Sequence, residues 1–97
     1  MPTQKAVVAA PAGLHARSAA VFVRAVTATG LPVTISKPGT PAVDARSLLH
    51  VMAADFAQGC EVELAVSDTG LRAARGLEEV RTVLADLRVL LESQKDG

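Results

Sequence analysis

The sequence predicts an α+β fold: an open-faced sandwich with three helices on one face of a single four-stranded sheet, in the order β-α-β-β-α-β-α. Three observations predict it. Apolar residues recur at steps of three and four in long stretches, the signature of amphipathic helices. Between those stretches lie short β-branched or alternating segments, the signature of strands. Glycine and proline clusters punctuate the joins. With 97 residues and 10.0 kDa the chain makes one domain, residues 1–97, large enough to bury a core without disulfide staples.

Lys5 to Ala9 reads as a buried strand that stops at the turn signal Pro11-Ala-Gly13. From Ala16 the period changes. Ala19, Phe22, Val23 and Val26 form one apolar stripe, with Arg17, Ser18, Arg24 and Thr27 off it, and Thr29-Gly30 ends the helix. Leu31 to Ser36 alternates around Val33 and Ile35, and Lys37-Pro-Gly-Thr-Pro41 turns the chain into a short return strand at Ala42 to Asp44. Ser47 takes the N-cap position before Leu48, Leu49, Val51 and Met52, and Gln58-Gly59 closes that short helix. Cys60 to Val66 alternates apolar residues with Glu61, Glu63 and Ala65, a strand with one wet face. Ser67-Asp-Thr-Gly70 offers N-caps for a last helix. Its stripe runs Ala73, Leu77, Val80, Leu84, Leu87 and Leu91, with Gly76 as a weak point inside it. Ser93 to Gly97 reads as a frayed tail.

Composition narrows the function. Ten basic and ten acidic residues cancel, and the aromatic residues are Phe22 and Phe56 alone. A general nucleic-acid binder would carry a basic excess or rings for stacking bases, so none is expected as a partner. No stretch approaches the ~20 apolar residues of a membrane span, and the apolar run after Lys5 is too short for a signal peptide, so a cytoplasmic protein without membrane insertion is expected. The single Cys60 excludes an internal disulfide; it is read as a small hydrophobe, and His50 as a solvent-facing residue. No metal-ligand spacing and no glycine-rich nucleotide cradle appears, so neither metal nor cofactor is expected. The neutral total hides an asymmetry: residues 1–50 carry a balance of plus four and residues 51–97 minus four. A site in the first half would therefore suit an anionic partner.

His15 lies in Gly13-Leu-His-Ala-Arg17, where a strand-exit loop becomes a helix. A histidine at a helix start is most often a cap or a solvated residue, but the surroundings of this one point to phosphoryl chemistry. An imidazole, ordinarily titrating near ~6.5, keeps a nucleophilic nitrogen at cell pH. The first amides of a helix lack partners and attract anions. Arg17 adds a planar cation matched to phosphoryl oxygens, and Gly13 permits a backbone turn that presents the ring.

These residues, with Ala19-Ala-Val-Phe-Val23 after them, resemble the active-site signature of the HPr family, the histidine-containing phosphocarriers of the bacterial sugar phosphotransferase system. Ala45-Arg-Ser-Leu-Leu49 and Gln58-Gly-Cys-Glu-Val62 are similar to the family's second-helix segment and its exit. The resemblance covers about Lys5 to Leu91. It implies an open-faced β-sandwich with an antiparallel sheet in the same element order. It also implies a stoichiometric phosphoryl carrier rather than a turnover catalyst. His15 would take the group from phosphorylated enzyme I on the ring nitrogen nearer the backbone, with Arg17 as charge partner, and pass it to enzyme IIA domains. Ser18 stands where the family usually has proline; its hydroxyl would either bind the phosphoryl group or compete for the cap.

Ser47 is by its own pattern a helix cap. The resemblance adds a second role, since in many Gram-positive members the matching serine is phosphorylated for regulation, which brings in an HPr kinase/phosphorylase and a transcription regulator as partners. The family also implies a docking surface, here Arg24, Arg46, Leu48, Leu49 and Met52, on a protein expected to be a monomer. The rival reading is a regulatory binding module of the same fold signalling through Ser47. A further one is a paralogous carrier serving nitrogen regulation or a dihydroxyacetone kinase.

Overall fold

Seven elements follow one another as the periodicity predicts: β1 (Thr3–Val7), α1 (Ala16–Thr29), β2 (Val33–Ser36), β3 (Val43–Asp44), α2 (Leu48–Ala53), β4 (Glu61–Val66) and α3 (Leu77–Ser93). The structure is a computed structural model and describes residues 3–11, 13–66 and 76–94. Among these residues the strands form one sheet in the order β1-β4-β2-β3, every neighbouring pair antiparallel. Ala6 faces Val62 across the first pair, and Ile35 faces Leu64 across the central one. β1 and β2 are thus parallel with β4 between them, and α1 makes the crossover. β3 and β4 repeat the arrangement, with β2 between them and α2 crossing over. Such crossovers lay helices on a sheet face, which gives the open-faced α+β sandwich.

The covered face is apolar because alternate strand residues point the same way. Ala6, Val8, Val33, Ile35, Val62, Leu64 and Val66 are all buried. Opposite them pack Ala19, Phe22 and Val26 of α1, Val51 of α2, and Val80, Leu84, Leu87 and Leu91 of α3. Phe22 and Phe56 are the two largest fully buried side chains and belong to this core. Lys5 and Glu61 lie on the open, wet face.

Several boundaries differ from the sequence reading, each for a local reason. The first strand is Thr3–Val7 rather than Lys5 to Ala9. Past Val7 the chain leaves the β1–β4 ladder: Val8 N–H still donates to Cys60 at 3.0 Å, but Ala9 N–H turns to Leu91 in α3 at 3.1 Å. β2 starts at Val33, β3 is two residues long, and Cys60 precedes β4 rather than opening it. The second helix stops at Ala53, five residues before Gln58, because Asp55 adopts the left-handed region with φ 57°. Gly76 is the N-cap of α3 and not an interior weak point, so it carries no helix-propensity penalty. Leu77, assigned to the apolar stripe, is 47% exposed at the first position of that helix. The proposed caps at residues 67–70, with Ala73, lie outside the described residues. Ser93 is still helical.

Candidate functional site

Two loops meet where β1 hands over to α1. Gly13 has φ 76°, and a Cβ placed on it would lie 2.4 Å from the Phe56 carbonyl oxygen and 2.9 Å from Ala57 Cα. Only glycine permits that approach in that conformation. Leu14 N–H then donates to Phe56 O at 2.8 Å, fastening the β1 exit to the α2 exit. The buried side chains of Leu14 and Phe56 anchor both loops in the core.

His15 is the N-cap of α1, with extended backbone (φ −133°, ψ 152°). Its side chain is 43% exposed. His15 and Ser18 face each other as N-cap and N3 partners of a capping box, in which His15 N–H donates to Ser18 Oγ at 3.2 Å. The Ser18 hydroxyl proton is shared between the carbonyls of Gly13 at 2.7 Å and His15 at 2.9 Å. Ser18 was expected off the apolar stripe, but it is 1% exposed. Of the two roles open to its hydroxyl, capping is the one it fills, because its only proton is directed to the loop carbonyls beneath the histidine. Ala16, between them, is held at φ 45°. A left-handed alanine costs about 1–2 kcal/mol, so the turn that presents the ring is strained.

The His15 O accepts from the amides of Ser18 and Ala19, whereas those of Ala16 and Arg17 have no acceptor among the described residues. Arg17 is exposed at the second helical position. The ring therefore stands at a helix mouth, before amides without acceptors among the described residues and two positions ahead of an exposed arginine, a setting suited to an anion.

One neighbour was not foreseen. Asp55 Oδ1 lies 3.1 Å from His15 Nε2. Asp55 follows α2, and its 57° φ falls in a region that aspartate tolerates better than most residues. Lys37 secures this corner by donating from Nζ to Ala54 O at 2.9 Å and Asp55 O at 3.1 Å, with its ammonium 5.8 Å from the centre of the Phe56 ring. The sequence held one hint, an aspartate near the expected end of a helix. Nothing in its spacing ties it to a histidine 40 residues away.

The other predicted residues take the following places. Ser47 caps α2, its Oγ accepting from His50 N–H at 3.3 Å, and His50 is exposed. α1 packs on α2, with Arg17 and Arg24 exposed on the first helix and Leu48 and Leu49 exposed on the second. Leu49 is 76% exposed, while Met52 is half-buried against the core. Val21, 43% exposed, lies four positions from Arg17 and three from Arg24, on the same face of α1. Arg46 is paired: Nε lies 3.1 Å from Asp44 Oδ1 and its backbone N–H donates to the same oxygen at 2.9 Å. The side-chain hydrogen bond with Arg46 is the main cause that holds the Asp44 carboxyl below the usual carboxylate range. Among the described residues no group of three or more potential ligands gathers for a metal, and no helix is long and apolar enough to cross a membrane.

Comparison with known proteins supports the same assignment from outside. Residues 2–86 match the family model described as "PTS HPr component phosphorylation site". The chain is 46% identical over 74 residues to the phosphocarrier protein HPr of Streptomyces coelicolor, spanning 76% of this chain and 77% of that one. Among solved structures, it is similar to HPr-C-His from Thermoanaerobacter tengcongensis, with TM-score 0.72 and 26% identity over 98% of this chain and 99% of the other. The phosphocarrier protein HPr from Bacillus anthracis superposes with TM-score 0.68 at 25% identity, covering 93% and 95%. With sequence, fold and helix-mouth geometry in agreement, the chain belongs to the HPr phosphocarrier family of the phosphotransferase system.

Proposed function

We propose that His15 is the phosphoryl acceptor of a cytoplasmic relay, loaded by phosphorylated enzyme I and unloaded by enzyme IIA domains. The observation that carries this reading is the half-exposed imidazole at the mouth of a 14-residue helix, where the amides of Ala16 and Arg17 have no acceptor among the described residues and the exposed Arg17 follows two positions on. A ring nitrogen attacks phosphorus, the donor's N–P bond breaks, and its electron pair returns to the donor nitrogen. The reverse displacement hands the group on. Arg17 and the amides share the charge of the phosphoryl oxygens during both steps. Because these groups face water, their hold on the dianion is moderate, as a carrier requires. The exposed Arg24 and Val21 of α1, with the exposed Leu48 and Leu49 of α2, support docking of acidic partners with an apolar centre.

Ser47 is the candidate for regulation. It is half-exposed at the start of α2, where a phosphate meets free amide hydrogens and is electrostatically accommodated. Mass measurement after incubation with enzyme I and phosphoenolpyruvate, before and after mild acid, tests the relay. One acid-labile phosphoryl adduct on the wild type and none on His15→Ala is expected. An adduct that persists on His15→Ala refutes the role of His15, and an acid-stable adduct made only by an ATP-dependent kinase supports the regulatory module instead.

A further inference from the structure

We propose that Asp55 is a positioning residue that fixes the tautomer of His15, holding hydrogen on Nε2 so that Nδ1 keeps the lone pair that takes the phosphoryl group. The inference rests on the relay reading and adds to it a residue from the far loop.

An ionised carboxylate offers no hydrogen and can only accept. The 3.1 Å contact between Asp55 Oδ1 and His15 Nε2 is therefore a hydrogen bond only when Nε2 carries the hydrogen. In a neutral ring this leaves Nδ1 unprotonated. The partner of one ring nitrogen thus decides the chemistry of the other, as carboxylates do for histidines in metal and hydrolase sites. The contact also favours one rotation of the ring about its bonds to the backbone.

The placement of Asp55 is built rather than incidental. Its left-handed backbone breaks α2, Asp55 N–H donates to Met52 O at 3.2 Å, and Lys37 ties its carbonyl and that of Ala54. The next residue, Phe56, is buried and receives the amide of Leu14. The carboxylate is thereby carried on the same corner that locks the histidine loop.

The transfer balances without an outside acid or base. Nδ1 donates its lone pair to phosphorus as the donor's N–P bond breaks toward the donor. The His15 ring becomes a phosphoimidazolium whose Nε2 hydrogen stays in place, and Asp55 faces the resulting positive charge. When the group leaves, the N–P electron pair returns to Nδ1 and the same tautomer is restored.

Asp55→Gly removes the carboxylate while suiting a backbone at φ 57°, so the variant keeps its fold. Nitrogen-15 NMR of the imidazole in the unphosphorylated protein reads the tautomers directly. The wild type is expected to favour Nε2–H, and Asp55→Gly to shift the ratio toward Nδ1–H by about two- to fivefold, the scale of an exposed charged hydrogen bond. The rate of phosphoryl uptake from phosphorylated enzyme I falls with the fraction of Nε2–H tautomer, hence by a smaller factor than the ratio, and phosphorus-31 NMR places the wild-type group on Nδ1. An unchanged tautomer ratio in Asp55→Gly, or a wild-type adduct on Nε2, overturns the proposal while leaving the relay standing. A wild type that takes up no phosphoryl group at His15 ends the relay reading and, with it, the catalytic meaning of Asp55; the tautomer ratio is still read.

Discussion

Replacing Gly13 with alanine tests the corner on which the site rests, and a second glycine supplies the control. Gly13 and Gly30 have nearly the same backbone, φ 76° and 73°, but a Cβ on Gly30 meets nothing within 4 Å. At either position alanine pays about 1–2 kcal/mol for the left-handed conformation and recovers about 0.4–1 kcal/mol through a less flexible unfolded chain. Gly30→Ala should therefore lose up to about 1.5 kcal/mol. Gly13→Ala also drives a methyl to 2.4 Å from Phe56 O and 2.9 Å from Ala57 Cα. Both are backbone atoms that cannot rotate away, and overpacking of this kind costs about 1–3 kcal/mol more. Moving them stretches the 2.8 Å bond from Leu14 N–H to Phe56 O. Gly13→Ala is thus expected to lose roughly 3 kcal/mol, a large share of the 5–15 kcal/mol typical of a domain. Urea unfolding read by far-ultraviolet circular dichroism measures both variants, with stability taken from the midpoint at an unchanged slope. Equal losses at Gly13 and Gly30 would show that conformation alone matters and that the two loops are not wedged together.

Two further outcomes follow from side chains already placed. Ser18→Ala removes a hydroxyl that donates to the Gly13 carbonyl and shares the His15 N–H with it. Because the His15 amide and the Gly13 carbonyl still pair with each other at 3.0 Å, the substitution should cost about 0.5–1.5 kcal/mol, the net worth of a hydrogen bond, in the same unfolding assay. A loss below 0.5 kcal/mol, roughly the noise of a surface change, would return the hydroxyl to solvent. Asp44→Asn tests the pH dependence. The folded carboxyl titrates below its ordinary value because of Arg46, so its stabilisation is fully present above the unfolded value near ~3.9. It is lost as pH falls through the lower folded value. The wild type should be the more stable near pH 7 by a small, salt-sensitive margin, and the margin should close in acid. A margin that grows on acidification contradicts the assignment.

The architecture was legible because periodicity reports directly on burial. Phe22 and Val26 in α1, Leu84, Leu87 and Leu91 in α3, and Val62 and Leu64 in β4 are buried where the apolar period places them. Element ends were less legible, since they depend on where the chain finds its next partner. Ala9 leaves the ladder because the Leu91 carbonyl is available 82 positions later, and α2 ends where a left-handed Asp55 is clamped by Lys37. The site divides the same way. The histidine, the arginine and the close-packed glycine lie within five residues and could be read together. The inward turn of Ser18 and the contact with Asp55 depend on how two distant loops meet, and neither loop encodes that alone.

The site combines a rigid frame with weakly held charges, and the two properties answer different needs. The frame is costly to deform: Gly13 abuts backbone, Ala16 is strained, and Ser18 is sealed beneath the ring. That fixes where the imidazole points and avoids paying orientation entropy at each encounter. The reacting ring and its polar partner are exposed by contrast, with His15 at 43% and Asp55 at 76%. Water screening keeps each such pair to at most about 1 kcal/mol. Burying them would deepen the well for the phosphorylated state and slow its departure as much as it helped its arrival, because a carrier's product is the next donor. On the proposed reading, substitutions in the frame should therefore slow loading and unloading together. Removing a single exposed charge should change either step by only a few fold.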